Sequence, residues 1–328
     1  MSASGEPANE VAPSSRRIQV GVSACLLGKR VRYDGGHKWN RIVADCLARW
    51  FELVPVCPEV AIGLGTPRKP IRLAGAPESP RAIGIQNESL DVTERLTEYA
   101  RRMAGELGDI SGYLFKGKSP SCGMERVRVY GRGGAPRRIG RGLYAAEIMR
   151  SHPLLPVADE DRLHDPVRRE NFIERLYAYR HWQDLLEKGV SAEALVEFHI
   201  RHKLIVMAHG ACHARALEHL VAQAATRPIE SLAADYAASF MNALSFRATR
   251  SRHTAVLFHT VGYLNGHLDS QAKAELVDLI HAYRQGLVPR SVPVTLLRRH
   301  FQRHPEPFID KQLYLTWQPL WISFGSHR

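Results

Sequence analysis

The chain has 328 residues, a net charge of +12, and 45% hydrophobic and 24% charged residues. That is too long for one ordinary core, so two domains are expected, and the composition is that of a globular protein. It has no apolar run of about 18 residues and no apolar stretch near its start, so neither a membrane-spanning helix nor a secretory signal is expected.

The first 16 residues, small and polar, read as a disordered lead-in. "RRIQVGVSA" is short and β-branched and predicts a strand ending near Ser23. "NRIVADCLARWFE" has helical periodicity, with Ile42, Cys46 and Trp50 on one stripe. "LVPVC" predicts a strand ending at Cys57, and "DVTERLTEYARRMAGEL" an amphipathic helix capped by Asp91 or Thr93. "ISGYLFK" reads as another strand, and "AEIMRSHP" as a short helix stopping before Pro153. Alternating strands and helices predict an α/β first half with a mainly parallel, Rossmann-like sheet. "HPLLPVADEDRLHDP", with three prolines and an acidic cluster, reads as a domain junction. Beyond it, five or six helices predict an all-α second half, many of them stopping at Gly. The expected division is 1–16, 17–158 and 159–328.

The five cysteines are an odd number in a large chain, which points to a reducing cytoplasm and to thiols kept for metal, catalysis or packing. Cys25, Cys57 and Cys122 each follow a predicted strand, and in an open parallel sheet ligands bind beyond the carboxyl ends of the strands. Gly28, Pro55, Pro58, Pro120 and Gly123 beside them make loops whose N–H groups approach an anionic object, such as a thiolate-ligated cluster. Three thiolates make a poor closed zinc site, whereas on a 4Fe-4S cluster they leave one iron open as a Lewis acid. Separate core residues or a lone catalytic thiol are the alternatives. Cys46 reads as a small hydrophobe on a helix. Cys212, between His209 and His213, lacks the carboxylate or second thiol that a metal site there needs.

"VSACLLGKRVRYDGGHK", "PVCPEVAIGLGTPR" and "FKGKSPSCG" resemble the signature blocks of the thiouracil desulfurase (desulfidase) family over about residues 17–155. "FIERLYAYRHW", "LVEFHIRHKLIVMAH" and "VLFHTVGYL" resemble the YbgA-like helical domain found fused to it. The resemblance implies a 4Fe-4S cluster on Cys25, Cys57 and Cys122. It also implies non-redox removal of sulfur from a thiolated pyrimidine. The fused form resembles enzymes acting on 4-thiouridine in tRNA. Free 2- or 4-thiouracil as substrate, and a non-catalytic iron–sulfur RNA-binding or sensor protein, are the alternative readings.

Water addition and sulfide loss both need proton transfers, so a carboxylate near the cluster is required. Glu59, two residues after Cys57, is the first candidate; the alternative is a turn carboxylate or a partner for Arg68. Ser119 and Ser121 either relay protons and bond the pyrimidine edge or only build the turn. Ser23 and Asp34 are pocket candidates, although Asp34-Gly35-Gly36 is itself a turn signal. Lys38 and Lys116, with Arg32 and Lys118, surround the motifs and suit phosphates or cluster charge.

The net charge suggests a polyanion, with nucleic acid the usual candidate and a generally basic enzyme the alternative. Read as one helix, "EALVEFHIRHKLIVMAHGACHARALEHL" places His199, His202, His209 and His213 within an arc of about 80° at 100° per residue. Such a stripe suits RNA stacking, core packing or metal. "TLLRRHFQRH" is a basic helix that suits RNA, and Tyr314, Trp317 and Trp321 follow it as a packing tail.

Overall fold

The computed structural model describes residues 17–131 and 135–316. Residues 1–16, Trp317 and Trp321 lie outside the described residues. Among the described residues the chain divides into two compact units, Met1–Ile148 and Met149–Arg328.

The first sheet contains β1 (Gln19–Ser23), β2 (Glu52–Val56), β5 (Gly112–Phe115) and β8 (Val157–Asp159), in the order β2-β1-β5-β8. β1 is central and pairs in parallel with both neighbours, Val20 lying opposite Leu53 and Gly112. Its residues Val20 to Ser23 are buried, as a strand covered on both faces requires. Gly21 has no Cβ for a steric reason: one placed there would come within 2.4 Å of the Tyr113 ring.

The second sheet is β3 (Ile71–Ala74), β4 (Arg81–Gly84), β6 (Val127–Tyr130) and β7 (Arg137–Gly140), in the order β4-β3-β6-β7. Ile71, Leu73, Val127 and Val129 face inward and pack with Leu96 of helix α2 (Thr93–Glu106). Their alternates face outward. Neither Asp91 nor Thr93 is the cap of α2: Val92 holds that position without a side-chain cap bond, and Asp91, one residue earlier, accepts from the Thr93 amide at 2.9 Å and from its hydroxyl at 2.5 Å. A short helix α1 (Pro58–Ala61) follows Cys57, and α3 (Leu143–Ser151) follows β7.

One further local expectation needs correction. Residues 42–49 form a π turn (Ile42–Cys46) and a 3₁₀ turn (Leu47–Arg49), not a regular helix. The wider turn rotates the face, so Val43 and Leu47 are buried while Trp50 is exposed. The proline-rich segment at 152–166 forms β8 and α4 (Glu160–Leu163), because Asp159 caps the turn through the Arg162 amide at 2.9 Å.

The second unit is helical: α5 (Pro166–Lys188), α6 (Ala192–His209), α7 (Ala211–Val221), α8 (Ile229–Ser245), α9 (Arg250–Gly262), α10 (Ser270–Gln285), α11 (Ser291–Arg303), α12 (Pro307–Asp310) and α13 (Leu313–Thr316). Asp165, Ser191, Thr249 and Asp269 cap α5, α6, α9 and α10 with side-chain oxygens. Gly189, Gly210 and Gly286 end α5, α6 and α10.

Helices outnumber the expected five or six partly because Gly210 breaks the histidine-rich helix. Its φ of 152° and ψ of 132° are glycine's territory. His213 therefore sits on α7, and the four-histidine arc does not exist. His199, His202 and His209 are buried, not available to stack bases. His199 bonds the Tyr236 hydroxyl at 3.2 Å, and His202 bonds His181 at 3.2 Å. His209 bonds Glu174 Oε1 at 2.6 Å. Packing is thus the role of all three. No helix among the described residues is long and apolar enough to cross a membrane.

Candidate active site

Three neighbouring parallel strands deliver the three cysteines to one end of the first sheet. Cys25 lies in the 3₁₀ turn Ala24–Leu27 just after β1, and Gly28 closes that turn at φ 85°. Its carbonyl accepts from the Lys38 amide at 2.9 Å, which folds the glycine-rich loop back over it. Cys57 follows β2 directly and is the N-cap residue of α1, with Pro58 at the first helical position. Cys122 sits in the loop after β5, and its thiol bonds Ser23. The charges of Cys25 and Cys57 both act on it, and the strands that end at the three thiols are neighbours in one sheet.

The Cys122 loop is built by its own polar residues. Ser119 Oγ accepts from the amides of Ser121 at 3.3 Å and Cys122 at 3.1 Å. Gly142 packs against its backbone: a Cβ there would lie 2.5 Å from the Ser121 carbonyl and 2.8 Å from the Cys122 nitrogen. Ser23 Oγ accepts from the Lys116 amide at 2.8 Å, tying the ends of β1 and β5 together. The Lys116 ammonium donates to the Gly117 carbonyl at 2.8 Å.

Glu59 lies in the first turn of α1 and is drawn to both sides of the site. Its Oε1 accepts from Ser121 Oγ at 2.6 Å. Its Oε2 accepts from Arg68 Nε at 2.9 Å and Nη2 at 2.5 Å. Arg68 Nη1 donates to the carbonyls of Val31 and Gly65, both at 2.9 Å. Pairing with Arg68 and facing the cysteine loop, posed above as alternatives, therefore coexist in one carboxylate. Burial pushes the Cys57 thiol up and the Cys122 thiol well up, with the Glu59 charge adding to both.

Other predicted residues are placed less directly. Asp34 Oδ1 accepts from the Gly36 amide at 3.0 Å, and this bond holds its carboxyl below the usual range. It is exposed and forms the turn. Lys38 is exposed on the same loop. Arg32 lies over the Tyr33 ring at 5.2 Å, 3.5 Å from Asp34. Cys46 is half-buried and Cys212 exposed, both as free thiols.

Sequence reasoning undervalued Arg68 and passed over Tyr33 and Trp39, which are 42% and 48% exposed on the loop that bonds to Cys25. Two large aromatics in a turn-rich segment were the available signal.

Among the described residues no three His, Cys, Asp or Glu side chains are placed to share a single metal ion. Three thiols at the ends of neighbouring strands are a donor set that fits a polynuclear cluster, whose irons take one thiolate each.

The 2-thiouracil desulfurase family model matches residues 20–160, and that of a protein of unknown function, DUF1722, matches 203–319. The uncharacterized protein YbgA of Escherichia coli (strain K12) is 30% identical over 150 residues, 45% of this chain and 89% of that protein. The uncharacterized protein YbbK of Bacillus subtilis (strain 168) is 32% identical over 108 residues, 31% of this chain and 71% of that protein. A solved structure, the [4Fe-4S]-dependent thiouracil desulfidase TudS, is 35% identical. It covers 45% of this chain and 95% of its own, with a TM-score of 0.38. The chain belongs to the 2-thiouracil desulfurase family, with a DUF1722 domain following the desulfurase domain.

Proposed function

We propose that the protein is an iron–sulfur desulfidase that converts 4-thiouridine in tRNA to uridine, with Cys25, Cys57 and Cys122 holding a 4Fe-4S cluster. The observation that carries the chemistry is the placement of Glu59: one carboxylate oxygen is anchored on Arg68 and the other faces Ser121, beside three clustered thiols. When bound, the cluster supplies an iron with an open position, a Lewis acid for the thiocarbonyl sulfur.

The overall change is balanced without redox: the thiocarbonyl and water give a carbonyl and hydrogen sulfide. Arg68 fixes the carboxylate and leaves Oε1 as the working oxygen. Glu59 Oε1 takes a proton as water oxygen bonds the ring carbon. It returns that proton to sulfur as the C–S bond breaks, directly or through the Ser121 hydroxyl. Ser119 holds the loop that carries Ser121 and Cys122. Ser23 steadies Cys122, while Lys116, Lys38 and Asp34, on the loops that carry Cys122 and Cys25, are assigned to holding the substrate. Tyr33 and Trp39 offer aromatic faces to a pyrimidine.

The RNA reading rests on the +12 charge and on exposed Arg299 and Arg303 of α11. We place the activity in the cytoplasm, where thiols stay reduced. The family's description as a 2-thiouracil desulfurase favours a second reading, the same chemistry on free thiouracil. Anaerobically reconstituted protein is given thiolated tRNA or free 4-thiouracil, and sulfide and the nucleosides are measured. Uridine formation in tRNA supports the proposal; desulfurisation of the free base alone promotes the second reading. Full activity in Glu59→Gln overturns the proton-transfer assignment.

A further inference from the structure

The outer face of the second sheet forms a groove of about 670 Å³ beside the cysteine loop. Because inward positions of β3 and β6 are apolar, the alternates fall on the outer face: Arg72 from β3, Arg128 and Tyr130 from β6. Arg138 of β7 lies opposite Arg128 in register. Arg126, just before β6, and Lys118 and Pro120, from the loop that carries Cys122, also line it, together with the apolar Ile71, Leu73, Ile85 and Val127. Same-face residues on a strand are about 6.8 Å apart and neighbouring strands about 4.8 Å apart, so the cations form a ladder and not a single point charge.

Three features set this face apart from a merely basic surface. Arg126, Arg128 and Arg138 are exposed and have no ion-pair partner among the described residues. Arg72 contacts Glu88, and its guanidinium lies over the Tyr130 ring at 5.0 Å. Its Nε is buried and has no acceptor among the described residues. Finally, Lys118 at φ 63° and Arg126 at φ 54° are the two residues other than glycine with positive φ among the described residues. Each costs about 1 kcal/mol or more, and both are cations lining this groove.

We propose that this face is the track along which the phosphodiester backbone of an RNA substrate runs to the cysteine loop. The inference rests on the RNA reading above and adds where the desulfurase domain itself grips the strand. A cationic groove with an aromatic plane is how single-stranded RNA is held without sequence preference. An acidic peptide would use the charges but not the Tyr130 plane.

The test is binding of a single-stranded RNA, read by fluorescence anisotropy against salt, with no need for turnover. The groove variant is Arg126→Asn, Arg128→Gln and Arg138→Gln, Asn being chosen because it tolerates positive φ. The control removes the same charge from the exposed face of α2: Arg95, Arg101 and Arg102, each to Gln. Circular dichroism checks the fold of both.

Each phosphate contact contributes about 0.7 to the slope of log K against log salt for a single strand. The groove variant is expected to lose about 2 from that slope and to bind about tenfold or more weakly; the control should keep the wild-type slope. A wild-type slope in the groove variant, or equal losses in both variants, overturns the proposal. Loss of poly-glutamate binding with RNA binding intact assigns the face to an acidic protein and also overturns it. If the wild type desulfurises thiolated tRNA while the groove variant binds normally, only the track fails. If the wild type neither binds RNA nor desulfurises it, the RNA reading fails and the track with it.

Discussion

Replacing Arg68 with Met removes the clamp on Glu59 while keeping much of the side-chain volume. The Arg68 side chain is 6% exposed and that of Glu59 14%, so both charges are largely desolvated. Removing one partner of such a pair costs about 3–5 kcal/mol, because the other charge is left buried and unmet. The carbonyls of Val31 and Gly65 also lose their donor, at about 1 kcal/mol each within that range. What belongs to the Arg68–Glu59 pair is therefore about 1–3 kcal/mol, as a double-mutant cycle with Glu59→Gln would measure it. Equilibrium urea unfolding of the wild type, both single variants and the double variant supplies the four numbers. With a slope near 2 kcal/mol/M, Arg68→Met should lower the first unit's midpoint by about 2 M. A loss below about 1 kcal/mol, or additive single effects, would refute the claim that Arg68 anchors the carboxylate.

Other consequences follow from the same structure. Burial, helped by Arg201 for one and Lys203 for the other, lowers His181 and His199 to about 4. Both are depressed below the unfolded value of about 6.5, so the stability they contribute is present above that pH and is lost as pH falls toward 4. Urea midpoints of the helical unit at pH 7, 6 and 5 should fall progressively, and a flat series would contradict this. Gly210→Ala should cost about 1–3 kcal/mol in thermal or urea unfolding, since the new Cβ would stand 3.0 Å from His213 Cδ2 in a conformation glycine alone adopts freely. Gly142→Ala should leave the circular dichroism spectrum intact but lower iron incorporation several-fold, because its Cβ displaces the Ser121–Cys122 backbone; normal iron content would show that this contact does not set the cysteine loop.

Much of the desulfurase half was legible because its signals are local. β1, β2 and β5 are short β-branched or apolar runs, and each hands its cysteine to the same sheet end. The second sheet was not legible: its strands are four residues long and half their positions are arginine or small. Their alternation becomes informative only once α2 is known to cover one face. The histidines misled for a related reason. Polar rings at helical spacing look like a surface stripe, yet His199, His202 and His209 are buried because Tyr236, His181 and Glu174 supply their partners from other helices. Pairings across 21 to 37 residues leave no periodic trace. The Glu59 carboxylate was found through its distance from Cys57 in sequence. Its simultaneous hold on Arg68 and Ser121 needed the fold, since Ser121 is 62 residues away.

The central claim is that three particular thiols hold the cluster. Its most direct test is iron and sulfide counting on protein reconstituted without oxygen, for the wild type and for each cysteine changed singly to serine. The account predicts a 4Fe-4S stoichiometry in the wild type, Cys46→Ser and Cys212→Ser, and its loss in Cys25→Ser, Cys57→Ser and Cys122→Ser. An iron-poor wild type, or a full complement of iron in Cys57→Ser, would contradict it.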